Sequence, residues 1–184
     1  MGFGRCYDEF EVGAVYRHWP GKTVTEYDHH LFSMLTMVRH PLHLDANYAR
    51  TATRYGEPLV IGSYIFSLLL GLSEADVAGL AITHKGFERI DHFAPVRHGD
   101  TLYGESEVIA KSPVPDRPER GLVEVETRGR IQDGTQIMAF RRKLVVPTSA
   151  ADAQRLLAGV ADDRIRPAAG PEQESQRLGL GEPR

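Results

Sequence analysis

Apolar positions along the chain fall into three successive patterns. Residues 1–22 show no period and carry turn signals at Gly13 and at Pro20-Gly21, so they read as an irregular arm. From Thr25 the spacing becomes helical, with Leu31, Met34, Leu35 and Val38 three and four residues apart. Thr25 and Asp28 form a capping box, and the helix should stop before Pro41. Asp45 is a fair N-cap for a short helix carrying Tyr48 and Ala49, and Gly56-Glu57-Pro58 is a turn. Leu59 to Leu72 is apolar all round, with Gly62 and Ser63 near its start and Gly71 near its end, which predicts a helix buried on most sides.

Beyond Leu80 the period drops to two. ITHKGFERIDHFAPV, TLYGESEVIAKS, GLVEVETRGRIQ and TQIMAFRRKLVVP have strand length, and the alternation is clearest over residues 122–127. KSPVPDRPERG is a Pro-rich hairpin loop, and Asp133-Gly134 marks a tight turn between the last two strands. After Pro147, Leu156, Leu157 and Val160 suit a short amphipathic turn, and the end from about Pro167 is expected to be mobile. The sum is an α+β chain in which a curved antiparallel sheet can wrap the long helix. Spacing alone does not choose this over other α+β plans.

Composition narrows the function classes. The 184 residues are 41% hydrophobic and 26% charged, as in an ordinary globular domain. A formal charge of -3 gives no basic footprint for nucleic acid or an anionic membrane. With Cys6 the lone cysteine there is no internal disulfide and no cysteine-rich metal site, and Cys6 reads as a bystander thiol. The N-terminus lacks a signal-peptide core. Its Met-Gly start misses the Ser or Thr that myristoylation needs at position six, and Leu59–Leu72 is too short to span a bilayer. A cytoplasmic protein is expected, without metal or redox cofactor.

Three blocks carry a resemblance. FSMLTMVRHPLHLD (Phe32 to Asp45), TRYGEPLVIG (Thr53 to Gly62) and DHFAPVRHGDTLYGESEV (Asp91 to Val108) are similar, in order, to the MaoC-like hydratases. The FSMLTM and HPLH stretches look most like the mesaconyl-CoA and related dicarboxylyl-CoA hydratases within that family. The resemblance covers roughly residues 10–147. It implies a hotdog fold over residues 1–148 followed by a tail at 149–184. It also implies an acyl-CoA thioester partner, a homodimer or higher homo-oligomer, and addition or removal of water across a double bond conjugated to the thioester.

Such chemistry needs proton-transfer groups for the water and the α-carbon, and donors aimed at the thioester oxygen. His43 matches the family's catalytic histidine. Gly62 matches its backbone oxyanion donor, which suits a helix N-terminus with free N–H groups. The chain departs from the pattern elsewhere, with Val38 at the family's catalytic Asp, His40 at its Asn and Ile61 at the His before the glycine. On this reading His40, or a residue from a later segment, takes the second proton-transfer role. Arg39 or Arg89 pairs a substrate carboxylate, and Ser63 and Asp45 lie beside the substrate. Asp45 also reads as a plain N-cap, and His29-His30 as surface residues. Arg141-Arg142-Lys143 reads either as charge protecting an edge strand or as a contact for CoA phosphates.

Two other functions remain open from the residues. Loss of the acid at Val38 suits a non-catalytic acyl-CoA-binding or partner subunit. A hotdog thioesterase would draw its acid from Glu57, Glu88 or Asp91.

Overall fold

The computed structural model describes residues 3–156. Five strands, β1 (Val15–Thr23), β2 (Thr83–His92), β3 (Thr101–Pro113), β4 (Arg120–Arg130) and β5 (Gln136–Pro147), pair antiparallel in the order β1-β3-β4-β5-β2. Four helices precede β2: α1 (Glu26–Thr36), α2 (Pro41–Leu44), α3 (Ala46–Ala52) and α4 (Gly62–Ser73). A π-helical turn, Glu74–Ala78, continues α4. This is the α+β hotdog arrangement that the sequence blocks imply.

The sheet holds α4 because its concave face is cleared for it. Gly104 of β3 and Gly129 of β4 are cross-strand partners. A Cβ on Gly129 would stand 2.5 Å from Leu69 Cδ1, so the glycine pair forms a trough for Leu69. Tyr64, Ile65 and Leu69 bury here with Leu102, Ile137 and Phe140, each side chain contributing roughly 1.5–3 kcal/mol of apolar transfer. A second core joins Val77 of the π turn to Phe10, Val123, Val125 and Leu144.

The far end of α4 is fixed by a buried polar chain. His18 of β1 is 2.9 Å from Asp76 through Nδ1 and 2.8 Å from Ser106 Oγ through Nε2, and Ser106 in turn meets Thr127 at 2.8 Å. Ser106 is fully enclosed, so this Asp–His–Ser line tethers β1 and the π turn to the sheet rather than presenting a nucleophile.

Several expectations change. Residues 15–22 are not an arm but most of β1. A register shift between His18 and Lys22 absorbs Pro20-Gly21, as an edge strand tolerates. The Arg141–Lys143 cluster does not protect an edge, since β5 lies between β4 and β2. Arg141 pairs with Glu126 and Lys143 with Glu88, whereas Arg142 points inward and is fully buried. The edge on that side is β2, nearly all of it exposed, with Phe87 and Ile90 among the outward residues. Residues 150–156 are helical, and the mobile end expected from Pro167 lies outside the described residues. No helix among the described residues is long and apolar enough to cross a membrane.

Candidate active site

The capping box at the start of α1 forms as expected, Thr25 accepting from the Asp28 N–H and Asp28 from the Thr25 N–H. The helix is, however, turned over. Tyr27, Leu31, Met34 and Leu35 face outward, while His29 and Ser33 are its buried residues. The reading of His29 as a surface residue is therefore wrong. Its Nδ1 lies 2.8 Å from Nε2 of His98, and its Nε2 accepts the Ile61 N–H at 3.1 Å. Burial, reinforced by His98, His43 and His30, pushes the His29 imidazole down to about 4, so it is neutral at pH 7.

A half-buried histidine follows on α2. His43 donates from Nδ1 to the Leu59 carbonyl at 2.8 Å, which leaves the Nε2 lone pair free. Leu59, Val60 and Ile61 lead into α4, and each N–H in this stretch has a partner: the Leu42 carbonyl, the Val96 carbonyl and His29. Gly62 is the first residue of α4, and no protein acceptor among the described residues reaches its N–H. That N–H is one of the free donors of a helix start.

His43 and Gly62 open onto one cleft of about 320 Å³, which His92, Arg54, Tyr55 and Ile65 also line. His92, at the end of β2, lies against Gly62: a Cβ there would be 2.3 Å from His92 Cε1 and 3.0 Å from its Nε2. Residue 62 is therefore glycine because an imidazole occupies the space of a side chain. Arg54 is exposed and laid over the Tyr55 ring, 5.1 Å from its centroid, with Nη2 donating to the Tyr55 hydroxyl at 3.2 Å. A larger cleft of about 590 Å³ opens beside Trp19 and Arg5, but the acid on its wall, Asp76, is already engaged by His18.

The other residues expected at the site are placed differently. His40 caps α2, its Nδ1 accepting from the Leu42 N–H at 3.2 Å; its ring is 5.9 Å from that of His43 but does not line the cleft. Asp45 caps α3 through the Tyr48 N–H at 2.8 Å. Arg39 is exposed on the link between α1 and α2, and Ser63 is exposed and does not line the cleft. Arg89 sits mid-way along β2, 3.7 Å from Asp91 and beside a separate depression. None of Arg39, Ser63, Arg89 and Asp45 lines the cleft. Val38, at the family's acid position, packs against the core.

Sequence reasoning missed His92, Arg54 and the His29–His98 pair. His92 lay within the third matching block, but only the fold shows that the end of β2 meets the start of α4.

The sequence profile of the MaoC like domain matches residues 9–131. The chain belongs to the MaoC-like family. It is 31% identical over 126 residues to beta-methylmalyl-CoA dehydratase of Chloroflexus aurantiacus, covering 68% of this chain and 35% of that one. It is 29% identical over 143 residues to mesaconyl-CoA hydratase of Cereibacter sphaeroides, covering 78% and 41%. Among solved structures, Rv0216 of Mycobacterium tuberculosis, described as a double hotdog fold, superposes with a TM-score of 0.65 at 23% identity, covering 80% of this chain and 45% of that one. The chain thus spans under half the length of these proteins.

Proposed function

We propose that this cleft adds or removes water across the double bond of an enoyl-CoA thioester, the acyl group being a short branched dicarboxylate such as mesaconyl or itaconyl. The observation that carries this reading is the convergence of His43, His92 and the free Gly62 N–H on one wall. In the hydration direction, Nε2 of His43 takes a proton from water as its oxygen attacks the β-carbon. The π electrons move toward the thioester oxygen, where the Gly62 N–H and the α4 dipole meet the developing charge. His92, in place of the acid absent at Val38, delivers a proton to the α-carbon. Two imidazoles at one site can share the roles of acid and base near neutral pH.

Arg54 is the cation that lines the cleft, and its guanidinium suits the second carboxylate of such a substrate. The two curated relatives support that class, since both are named for branched dicarboxylyl-CoA thioesters. A homo-oligomer is part of this reading, supported by the exposed β2 edge with Phe87 and Ile90. A cytoplasmic setting accords with a CoA thioester substrate.

Val38 favours the second reading, an acyl-CoA-binding subunit without activity of its own. A thioesterase has less support, because Glu57 pairs with Arg97, Asp91 with Arg89 and Glu88 with Lys143, and none of the three acids lines the cleft. The test is mass-spectrometric monitoring of mesaconyl-, itaconyl- and crotonyl-CoA with a thiol-release assay alongside. Gain of one water on a dicarboxylyl-CoA, lost by about 100-fold or more in His43→Ala, is the expected result. Binding without turnover would establish the second reading, and thiol release the third.

A further inference from the structure

Ile61 is the N-cap residue of α4, and it has no side chain able to cap. Its backbone is held instead from both sides. The carbonyl accepts from the Tyr64 and Ile65 N–H groups at 3.0 and 3.2 Å, and the N–H is taken by His29 Nε2. The next peptide unit carries the Gly62 N–H, so whatever fixes Ile61 fixes the direction of that donor. His43 braces the same stretch at Leu59, its ring perpendicular to that of His29 with centroids 6.1 Å apart.

The hydrogen bonds also decide where the protons are. An acceptor is required at Nε2 of His29, so in the neutral ring the proton is on Nδ1, and that N–H donates to His98. His98 therefore receives at Nε2 and carries its own proton on Nδ1. Among the described residues no group of three or more His, Cys, Asp or Glu side chains converges in a metal-binding arrangement.

We infer that His29, locked in one tautomer by His98, is a positioning residue that aims the Gly62 N–H at the thioester oxygen. This rests on the hydratase reading of the cleft. His29 is fully buried and does not line the cleft. It acts through the Ile61 N–H, and its effect belongs in the transition state, where charge on the oxygen is greatest, more than in ground-state binding. Either doubly protonating His29 or moving its proton to Nε2 would turn an N–H against the Ile61 N–H and release the segment that leads into α4.

The test is steady-state hydration of mesaconyl-CoA by the full-length wild type, His29→Leu and His29→Gln, with ¹⁵N NMR of the histidine rings in the wild type. The Leu side chain fills the space without an acceptor, and the Gln carbonyl can reach the Ile61 N–H. His29→Leu should lower kcat by about 10- to 100-fold with KM within about threefold, and Gln should restore most of the loss. The NMR should show Nδ1–H rings at His29 and His98. An unchanged kcat in a folded His29→Leu, a Gln variant as slow as Leu, or an Nε2–H ring at His29 would each overturn the role. A wild type that hydrates no thioester overturns the hydratase reading and this role together, whereas an active wild type with an unaffected His29→Leu overturns this role alone. Should the Leu variant not fold, the Gln variant and the wild-type spectrum decide.

Discussion

Replacing Gly62 by Ala should move activity and stability in opposite directions. The backbone at Gly62 is ordinary right-handed helix, so Ala gains helix propensity, at most about 1 kcal/mol. The new Cβ would sit 2.3 Å from His92 Cε1, and carbon contacts relax near 3.6 Å, so the imidazole must retreat by about 1.3 Å. His92 is exposed and sits at the end of its strand, so it can swing away at little energetic cost. The reacting geometry has no such freedom, and a displacement of about 1 Å is worth about 100-fold in rate. The variant should therefore melt no lower than wild type, and up to about 3 °C higher, while kcat on the active thioester falls by about two orders of magnitude. Paired melting curves and initial-rate assays read both quantities. A variant within threefold of wild-type kcat would refute the idea that the His92 ring works from its place over Gly62.

Three further outcomes follow from the same geometry. His29 titrates near 4 in the fold and near 6.5 when unfolded, so its lowered value contributes stability that is complete above about pH 6.5 and lost as pH falls toward 4. That amounts to about 2 kcal/mol lost between pH 7 and pH 5, which urea titrations at both pH values should show and which His29→Leu should flatten; equal stability at the two pH values would contradict the buried neutral ring. Arg54→Met should cut kcat/KM for mesaconyl-CoA by about 10- to 100-fold and leave crotonyl-CoA within about threefold, and an equal loss on both would move the contact from the distal carboxylate to the CoA. Arg142 is fully buried, its Nε and Nη1 lacking partners among the described residues, and burial pushes its guanidinium down to about 10. Arg142→Met should thus hold or raise the unfolding free energy, by about 1 kcal/mol, and a clear loss would reveal a partner for those N–H groups.

What could be read from the sequence, and what could not, divides along physical lines. The Thr25–Asp28 box, the Asp45 cap and the Asp133-Gly134 turn are local devices, set by residues a few positions apart, and each forms as read, whereas the helix read over Leu59–Leu72 runs from Gly62 to Ser73 and buries only part of its surface. Strand β1 was hidden because Pro20-Gly21 is a turn signal in isolation, and it becomes a bulge only once β3 supplies the partner strand. Helical period placed α1 but not its orientation. A stripe of Leu31, Met34 and Leu35 looks like a core face, yet the residues buried are His29 and Ser33, for reasons that lie in His98, Ile61 and the end of the sheet. The same holds for the site. His43 and Gly62 were legible through the family blocks, whereas His92 and Arg54 enter the cleft through contacts between segments tens of residues apart.

The inverted helix α1 also sets up a mechanical tension in the molecule. Burying Tyr27, Leu31, Met34 and Leu35 would favour rolling α1 about its axis, and that roll would draw His29 out from under Ile61. The hydrogen bonds that leave the helix, from His29 to His98 and from the Ile61 N–H to His29, hold it against that roll. A surface that covers the outward stripe would remove the incentive to roll, and would tighten the backbone in front of α4 from some distance. If a second copy of this chain supplies that surface, specific activity should fall on dilution as the copies separate, although none of the outward residues lines the cleft.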